Sequence, residues 1–375
     1  MTPFFHVGEE MKFKLIFALF FFFFASLVFG VEIKFIEKIK LSQEKTIIQG
    51  SISFGVAEDE LFLITDYKAA DIKIYNKQGN LEKVWGRKGP GPKEFLRPAV
   101  CSYRDGTFAV LDFGKYRLFL FERDGRTDLK IKKEIVLIDL GLDFSLMKNE
   151  LLVAGYKVDP NGKPYSLYIL NLKTNKYTFL MPSEIKYGLN SFTEYKAQYR
   201  SKPELGSIGA RGFCDWQSEY AYYIWEGNLR IIKINMKSGK IKFFGKKTQD
   251  YIQPTATKAL IKANRERNTK SIFKEKYKMS YIKAIFVNEK YVGLLYNKPA
   301  ENRGDDWDIY DAEFQYMFQL YTLDGKFIKE ISISGKYYEM YMTRNGNSLY
   351  FLSSKFDEKK EEKEFYEILK YKIVE

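Results

Sequence analysis

Histidine is almost absent from this chain: of 375 residues, only His6 carries an imidazole. It sits in an N-terminal stretch that reads as removable, so the processed chain has none. That excludes Ser-His-Asp and Cys-His catalysis, histidine general bases and His-ligated zinc. Cysteine is nearly as scarce, with Cys101 and Cys214 alone. They could pair in an exported protein. Two separate buried thiols are the expectation, because free cysteine is among the most buried residue types. Acidic residues are outnumbered: 48 Asp and Glu against 61 Lys and Arg leave a net charge of +13. A basic surface favours anionic partners, although net charge speaks to solubility and nonspecific association before function. The available chemistry is that of carboxylates, lysine, tyrosine or a bound oxygen-seeking cation.

No apolar run reaches spanning length either. The one at residues 15–29 falls short of the about 20 residues a transmembrane helix needs. Lys12 and Lys14 precede it, and Val28-Phe29-Gly30 follows as a small-residue cleavage site. This is the layout of a secretory signal. Residues 1–30 are therefore expected to be a signal peptide, and 31–375 a single exported domain, periplasmic or extracellular. An uncleaved anchor is the alternative, and the membrane would then be reached only through this segment. Met11 is an alternative start to Met1, and the lack of a nearby cysteine argues against a bacterial lipid anchor.

What is present is repetition. Leu63-Ile64-Thr65-Asp66 through Gly79 returns 46 positions on as Val110-Leu111-Asp112 through Gly125. Each copy has a strand ending in Asp, a polar turn, an alternating strand (Ile72, Ile74; Leu118, Leu120), a Gly turn and a further strand. Period-2 alternation with one apolar face indicates a half-buried strand. One such sheet cannot bury its face alone, and radial repetition supplies the neighbours. Fainter copies begin near 151, 220, 291 and 349, and the last runs out one strand short. The segment 32–39 alternates cleanly and can supply that strand. The expected fold is all-β: a six-bladed β-propeller of four-stranded antiparallel blades, its ring closed by the N-terminal strand. Closure in this way removes an open sheet edge.

The stretch Trp85-Gly86-Arg87-Lys88-Gly89-Pro90-Gly91-Pro92-Lys93-Glu94-Phe95-Leu96-Arg97-Pro98, followed by Asp105-Gly106, Val110, Asp112 and Arg117-Leu118-Phe119-Leu120-Phe121, resembles the NHL repeat. The match is good over residues 60–135. It departs where Gly114, Lys115 and Tyr116 replace the Asn usual before the Arg. The resemblance implies a six-bladed propeller and little about activity, since that family's activities differ widely. Gly89-Pro90-Gly91 is not a phosphate cradle. Its prolines lack N–H donors and it leads into a strand, so it reads as a turn between blades.

Loop lengths carry the functional signal. Turns such as Gln78-Gly79, Asp105-Gly106, Asp124-Gly125, Ser238-Gly239 and Asp324-Gly325 are tight and share one face. The long excursions, at 156–164, 182–212, 246–280, 297–313 and 354–363, all fall on the other. Long loops on a rigid scaffold are where binding sites concentrate. Residues 246–280 carry ten Lys or Arg against three acids, a net of +7, and 256–278 lack Gly and Pro and are expected to be helical, inserted between blades 4 and 5. The candidate ligand face comprises Arg87, Lys88, Arg97, Asp66, Asp112, Arg211, Lys262, Arg265, Arg267 and Lys270. Asp66 and Asp112 have a plainer reading as turn caps.

Residues 297–313 carry a net of −4, and pairing between the two oppositely charged loops is an alternative to ligand binding. Asp305, Asp306, Asp308 and Asp311 offer oxygens to Ca²⁺, without the spacing of a dedicated calcium loop. The preferred reading is a noncatalytic, monomeric binding module for an acidic protein, peptide or anionic glycan, with nucleic acid disfavoured by export and no cofactor required. The alternative is a Ca²⁺-dependent hydrolase or lactonase, with Asp66, Asp112, Asp215 and the acidic loop converging on the axis.

Overall fold

The two copies at residues 61–79 and 108–125 become the middles of neighbouring four-stranded antiparallel sheets in the computed structural model, which describes residues 30–136, 141–182, 212–255, 257–300, 313–337, 339–356 and 364–375. Blade 1 is β2 (Ser51–Val56), β3 (Phe62–Asp66), β4 (Asp71–Tyr75) and β5 (Leu81–Trp85). Blade 2 is β6 (Pro98–Arg104), β7 (Thr107–Asp112), β8 (Arg117–Asp124) and β9 (Asp128–Val136). Blade 3 is β10 (Gly141–Met147), β11 (Glu150–Val158), β12 (Pro164–Asn171) and β13 (Tyr177–Pro182). Blade 4 is β14 (Gly212–Gln217), β15 (Tyr220–Trp225), β16 (Ile231–Asn235) and β17 (Ile241–Phe244). Blade 5 is β18 (Ile282–Val287), β19 (Tyr291–Asn297), β20 (Phe314–Thr322) and β21 (Phe327–Tyr337).

Blade 6 takes β22 (Glu339–Asn345), β23 (Ser348–Phe356) and β24 (Glu364–Val374) from the end of the chain, and β1 (Glu32–Lys40) from its start. The ring therefore closes as the sequence implies. The first strand of each blade touches the first strand of the next, all the way round.

The sequence pattern suggests one apolar face per strand, but the inner strands bury both. In β7, Phe108 and Val110 pack toward blade 1, while Ala109 and Leu111 pack toward blade 3. In β8, Phe119 and Phe121 likewise oppose Leu118 and Leu120. Each seam between blades is filled by its own apolar cluster, so a blade is a slab between two cores. The outermost strands keep a wet face, as in β9, where lysines alternate with Leu129, Ile131 and Ile135.

The expected helical insertion is two short helices, α1 (Lys258–Arg265) and α2 (Thr269–Tyr277). The break falls where Arg267 adopts a left-handed φ of 53° and Asn268 starts afresh, its side chain accepting from the Ser271 N–H. An N-cap Asn competes with continued helix by satisfying a free backbone donor itself. Among the described residues no helix is long and apolar enough to cross a membrane.

Candidate functional site

Asp66 and Asp112 stand at the ends of β3 and β7, and each clamps two loops. The Asp66 carboxylate accepts from the backbone N–H groups of Gln49, Gly50, Lys68 and Ala69 at 2.7–3.2 Å. Asp112 accepts from Leu96, Arg97, Gly114 and Lys115 at 2.8–3.2 Å. Both side chains are fully buried. Four donors match the lone-pair sites of the Asp112 carboxylate, and Asp66 takes a fifth from Lys73 Nζ. The repeated Asp therefore joins the approach to its own blade to the following turn, as the turn-cap reading has it.

Arg87, Lys88 and Arg97 lie in the loop between blades 1 and 2, all exposed. This loop is tied by Glu94, which accepts from the Gly91 N–H at 2.7 Å and from Arg87 Nε at 2.8 Å. The Gly91 hydrogen bond, then Arg87, holds the Glu94 carboxyl below its usual range. A Cβ on Gly89 would meet that carboxylate, so a larger residue there would displace the Glu94 side chain from this position. Phe95 plugs the loop into the core against Trp85 and Phe119. The Arg97 guanidinium lies 5.6 Å from the Tyr67 ring centre.

The α1–α2 lobe brings Lys262, Arg265, Arg267 and Lys270 to one exposed segment. Thr257 caps α1, accepting from the Leu260 N–H and donating to Glu275 of α2 at 2.8 Å. Leu260, Met279 and Tyr281 form a small core of the lobe's own. It is pinned to the propeller through Ile282 N–H to the Glu226 carbonyl and Ala300 N–H to the Tyr277 carbonyl. Its two acids are used internally, Glu266 beside Lys262 at 3.9 Å and Glu275 on Lys278 at 2.6 Å. Lys258, Arg267 and Lys270 have no ion-pair partner among the described residues. The junction with the acidic segment is an ion pair of the reverse polarity to the two segments' net charges, Lys298 to Asp250 at 2.7 Å.

The ring encloses a channel whose cavity measures about 150 Å³ and is lined by all six inner strands. Five charged side chains face it: Asp143, Asp215, Arg104, Lys283 and Arg344. The acids are turned into the framework. Asp215 accepts from the Ser145 hydroxyl at 2.7 Å, from Trp216 N–H at 2.8 Å and from Val287 N–H at 2.6 Å, joining blades 3, 4 and 5. Asp143 accepts from Cys214 N–H at 2.9 Å. Arg344 approaches Asp215 only to 3.8 Å, and the Arg104 guanidinium lies 4.0 Å from the centre of the Trp216 ring.

Of these, only Asp215 stands out in sequence as an axis residue. Arg104 and Arg344 share a sequence signal, since each lies within a residue of the end of an inner strand, just before the blade's first tight turn. Cys101 and Cys214 line the channel wall as separate buried thiols. Burial pushes the Cys101 thiol up to about 12.

Asp66, Asp112 and Asp215 share no partner, and no group of three or more His, Cys, Asp or Glu among the described residues could hold a metal ion. Arg211 and the proposed calcium ligands Asp305, Asp306, Asp308 and Asp311 lie outside the described residues.

Six four-stranded blades in a closed ring define the class as a six-bladed β-propeller. No family model matches the chain, and no curated protein matches it. In shape it is similar to a member of the DUF4221 family from Bacteroides vulgatus, at 12% identity and a TM-score of 0.63, over 92% of this chain and 99% of that one. It is also similar to a Bacteroides fragilis protein predicted to be exported, at 13% identity and a TM-score of 0.56, over 92% of this chain and 96% of that one. At such identities the likeness speaks for the fold alone.

Proposed function

We propose that this is an exported, noncatalytic binding propeller of NHL-like build, which takes an acidic protein, peptide or anionic glycan on its loop-rich face. The carrying observation is the α1–α2 lobe. Residues 258–278 hold eight Lys or Arg against two Glu, and both Glu side chains are already engaged within the lobe. Lys258, Arg267 and Lys270, which have no ion-pair partner among the described residues, belong to a capped, cored lobe anchored to a rigid ring, so little order has to be gained on binding. The signal-like N-terminus and the export predicted for the Bacteroides fragilis neighbour support placement outside the cytoplasm. Arg87, Lys88 and Arg97 lie on the loop between blades 1 and 2, which leaves the same strand ends as the lobe, three blades round the ring.

The test is retention on immobilised heparin and on polyglutamate, comparing the parent with Lys262→Gln/Arg265→Gln/Arg267→Gln/Lys270→Gln. Charge-led binding weakens steeply with salt. Elution of the variant at clearly lower salt, with an unchanged melting midpoint, is expected. Equal elution of a folded variant would remove the lobe from the binding surface.

A further inference from the structure

The channel presents a second, separate basic site on the opposite, plain face. We propose that its mouth there binds a small oxyanion, a phosphate or carboxylate group held between the guanidinium groups of Arg104 and Arg344. Arg104 ends the inner strand β6 beside the tight turn Asp105-Gly106, and Arg344 is the next-to-last residue of the inner strand β22, close to the tight turn Gly346-Asn347. An added Cβ at Gly106 or Gly346 would meet nothing within 4 Å, so no loop crowds these turns.

The local charge is not balanced from within. Asp215 is the carboxylate that lies nearest both arginines among the described residues, and three framework donors already occupy it; Asp143, the cavity's other acid, accepts from the Cys214 N–H. The one contact of Arg344 with it, at 3.8 Å, is too long for a hydrogen bond. The Arg104 guanidinium makes no hydrogen bond or ion pair with any described residue. Burial, together with the nearby Arg344, disfavours its charge, and Asp215 and Asp105 only partly oppose this. Two guanidinium groups face one cavity, and the carboxylate they share, Asp215, hydrogen-bonds to neither, an arrangement that an incoming anion relieves.

The geometry is also preorganised. Trp216 is fixed by its Nε1–H donating to the Leu146 carbonyl at 2.9 Å, and its ring supports Arg104 at 4.0 Å. Stacking takes one face of a guanidinium and leaves its N–H edge free for the forked contact that carboxylates and phosphates accept. A cavity of about 150 Å³ has room for such a group with several waters. Lys283, near the other end of the channel on β18, adds positive potential without an ion pair of its own among the described residues. None of this depends on the basic lobe.

The experiment is isothermal titration of the full chain with sodium phosphate and, separately, sodium succinate, at constant ionic strength against chloride. Saturable one-to-one binding of at least one of them is expected, and the tighter of the two identifies the preferred group. Arg104→Gln/Arg344→Gln should weaken it at least ~10-fold, given what charge-assisted bonds contribute. Lys262→Gln/Arg265→Gln should leave it unchanged, which separates this site from the lobe. If the double variant does not fold, Arg344→Lys serves in its place: it keeps the charge, loses the fork and is expected to bind more weakly. A saturable change in tryptophan fluorescence on phosphate addition, abolished by Trp216→Phe, would locate the anion. No saturable binding beyond chloride, or equal binding by a folded arginine variant, would overturn the proposal.

Discussion

Lys73 and Asp66 form an ion pair of 2.8 Å between Nζ and Oδ2 with both side chains wholly buried. Lys73 sits on β4, directly across the turn from the Asp that ends β3, and its Nζ also donates to Asp71 at 2.7 Å. A lysine with no water around it is tolerated because two carboxylates stand in for solvent. Burial raises the Asp71 carboxyl above its ordinary value, and the Lys73 contacts only partly offset this.

Removing either partner strands the other, but unequally. Asp66→Ala also deprives four backbone N–H groups of their acceptor, so a loss of about 3–5 kcal/mol is expected, the range for breaking a buried pair. Lys73→Met leaves the loop clamp intact and should cost clearly less. Denaturant melts of the two single variants and the double variant measure this. If Lys73→Met proved the more damaging, the clamp would not be the main role of Asp66.

Asp112 repeats the clamp without a buried lysine, which shows what the sequence made visible. The 46-residue period, the strand-ending Asp residues and the unfinished last blade were readable because they follow from backbone needs that recur in each copy. The channel residues were not. Arg104, Lys283, Arg344 and Trp216 are scattered over four blades, and only closure of the ring brings them together. Nor does a period-2 pattern say how many faces are buried. Phe119 and Leu120 are adjacent in β8 and equally apolar, and serve different seams. The break between α1 and α2 was hidden for a local reason: Asn268 is an ordinary helix residue by composition and a stop only through its capping geometry.

The two thiols give a prediction with a definite pH window. Burial raises Cys101 from 9.0 to about 12 and lifts Cys214 well above its ordinary value. Burial also raises Tyr223 and Tyr251 above 10.0. Groups held neutral in the fold but free to ionise when unfolded leave stability intact below about pH 9 and withdraw it as pH rises. Each contributes a slope of about 1.4 kcal/mol per pH unit once its unfolded counterpart ionises. The melting midpoint should be nearly level from pH 6 to 8.5 and fall steeply above pH 9. At pH 8, a thiol reagent should label neither cysteine in the native protein and both in guanidinium. Fast labelling of the native chain would show that the channel wall opens on its own.

The N-terminal strand gives the most direct test of ring closure. β1 pairs with β24 along its length, and its Ile39 joins the core between blades 6 and 1. The chain then crosses over: Leu41 N–H donates to the Tyr366 carbonyl in blade 6, and Ser42 N–H to the Gly79 carbonyl in blade 1. Phe35 packs edge-on against Tyr371 at 5.3 Å. Deleting residues 31–41 from an otherwise complete chain removes the buried side chains Ile39 and Leu41, worth roughly 3–6 kcal/mol together. It also bares the backbone donors and acceptors of β24, an open edge that a second molecule can pair with. The melting midpoint should drop by on the order of 10 °C, and light scattering should show more concentration-dependent association than for the intact chain. A synthetic peptide spanning residues 31–42, added in excess, should raise the midpoint by binding the folded ring alone. A deletion variant that remained monomeric at the original midpoint would mean that blade 6 is complete with three strands.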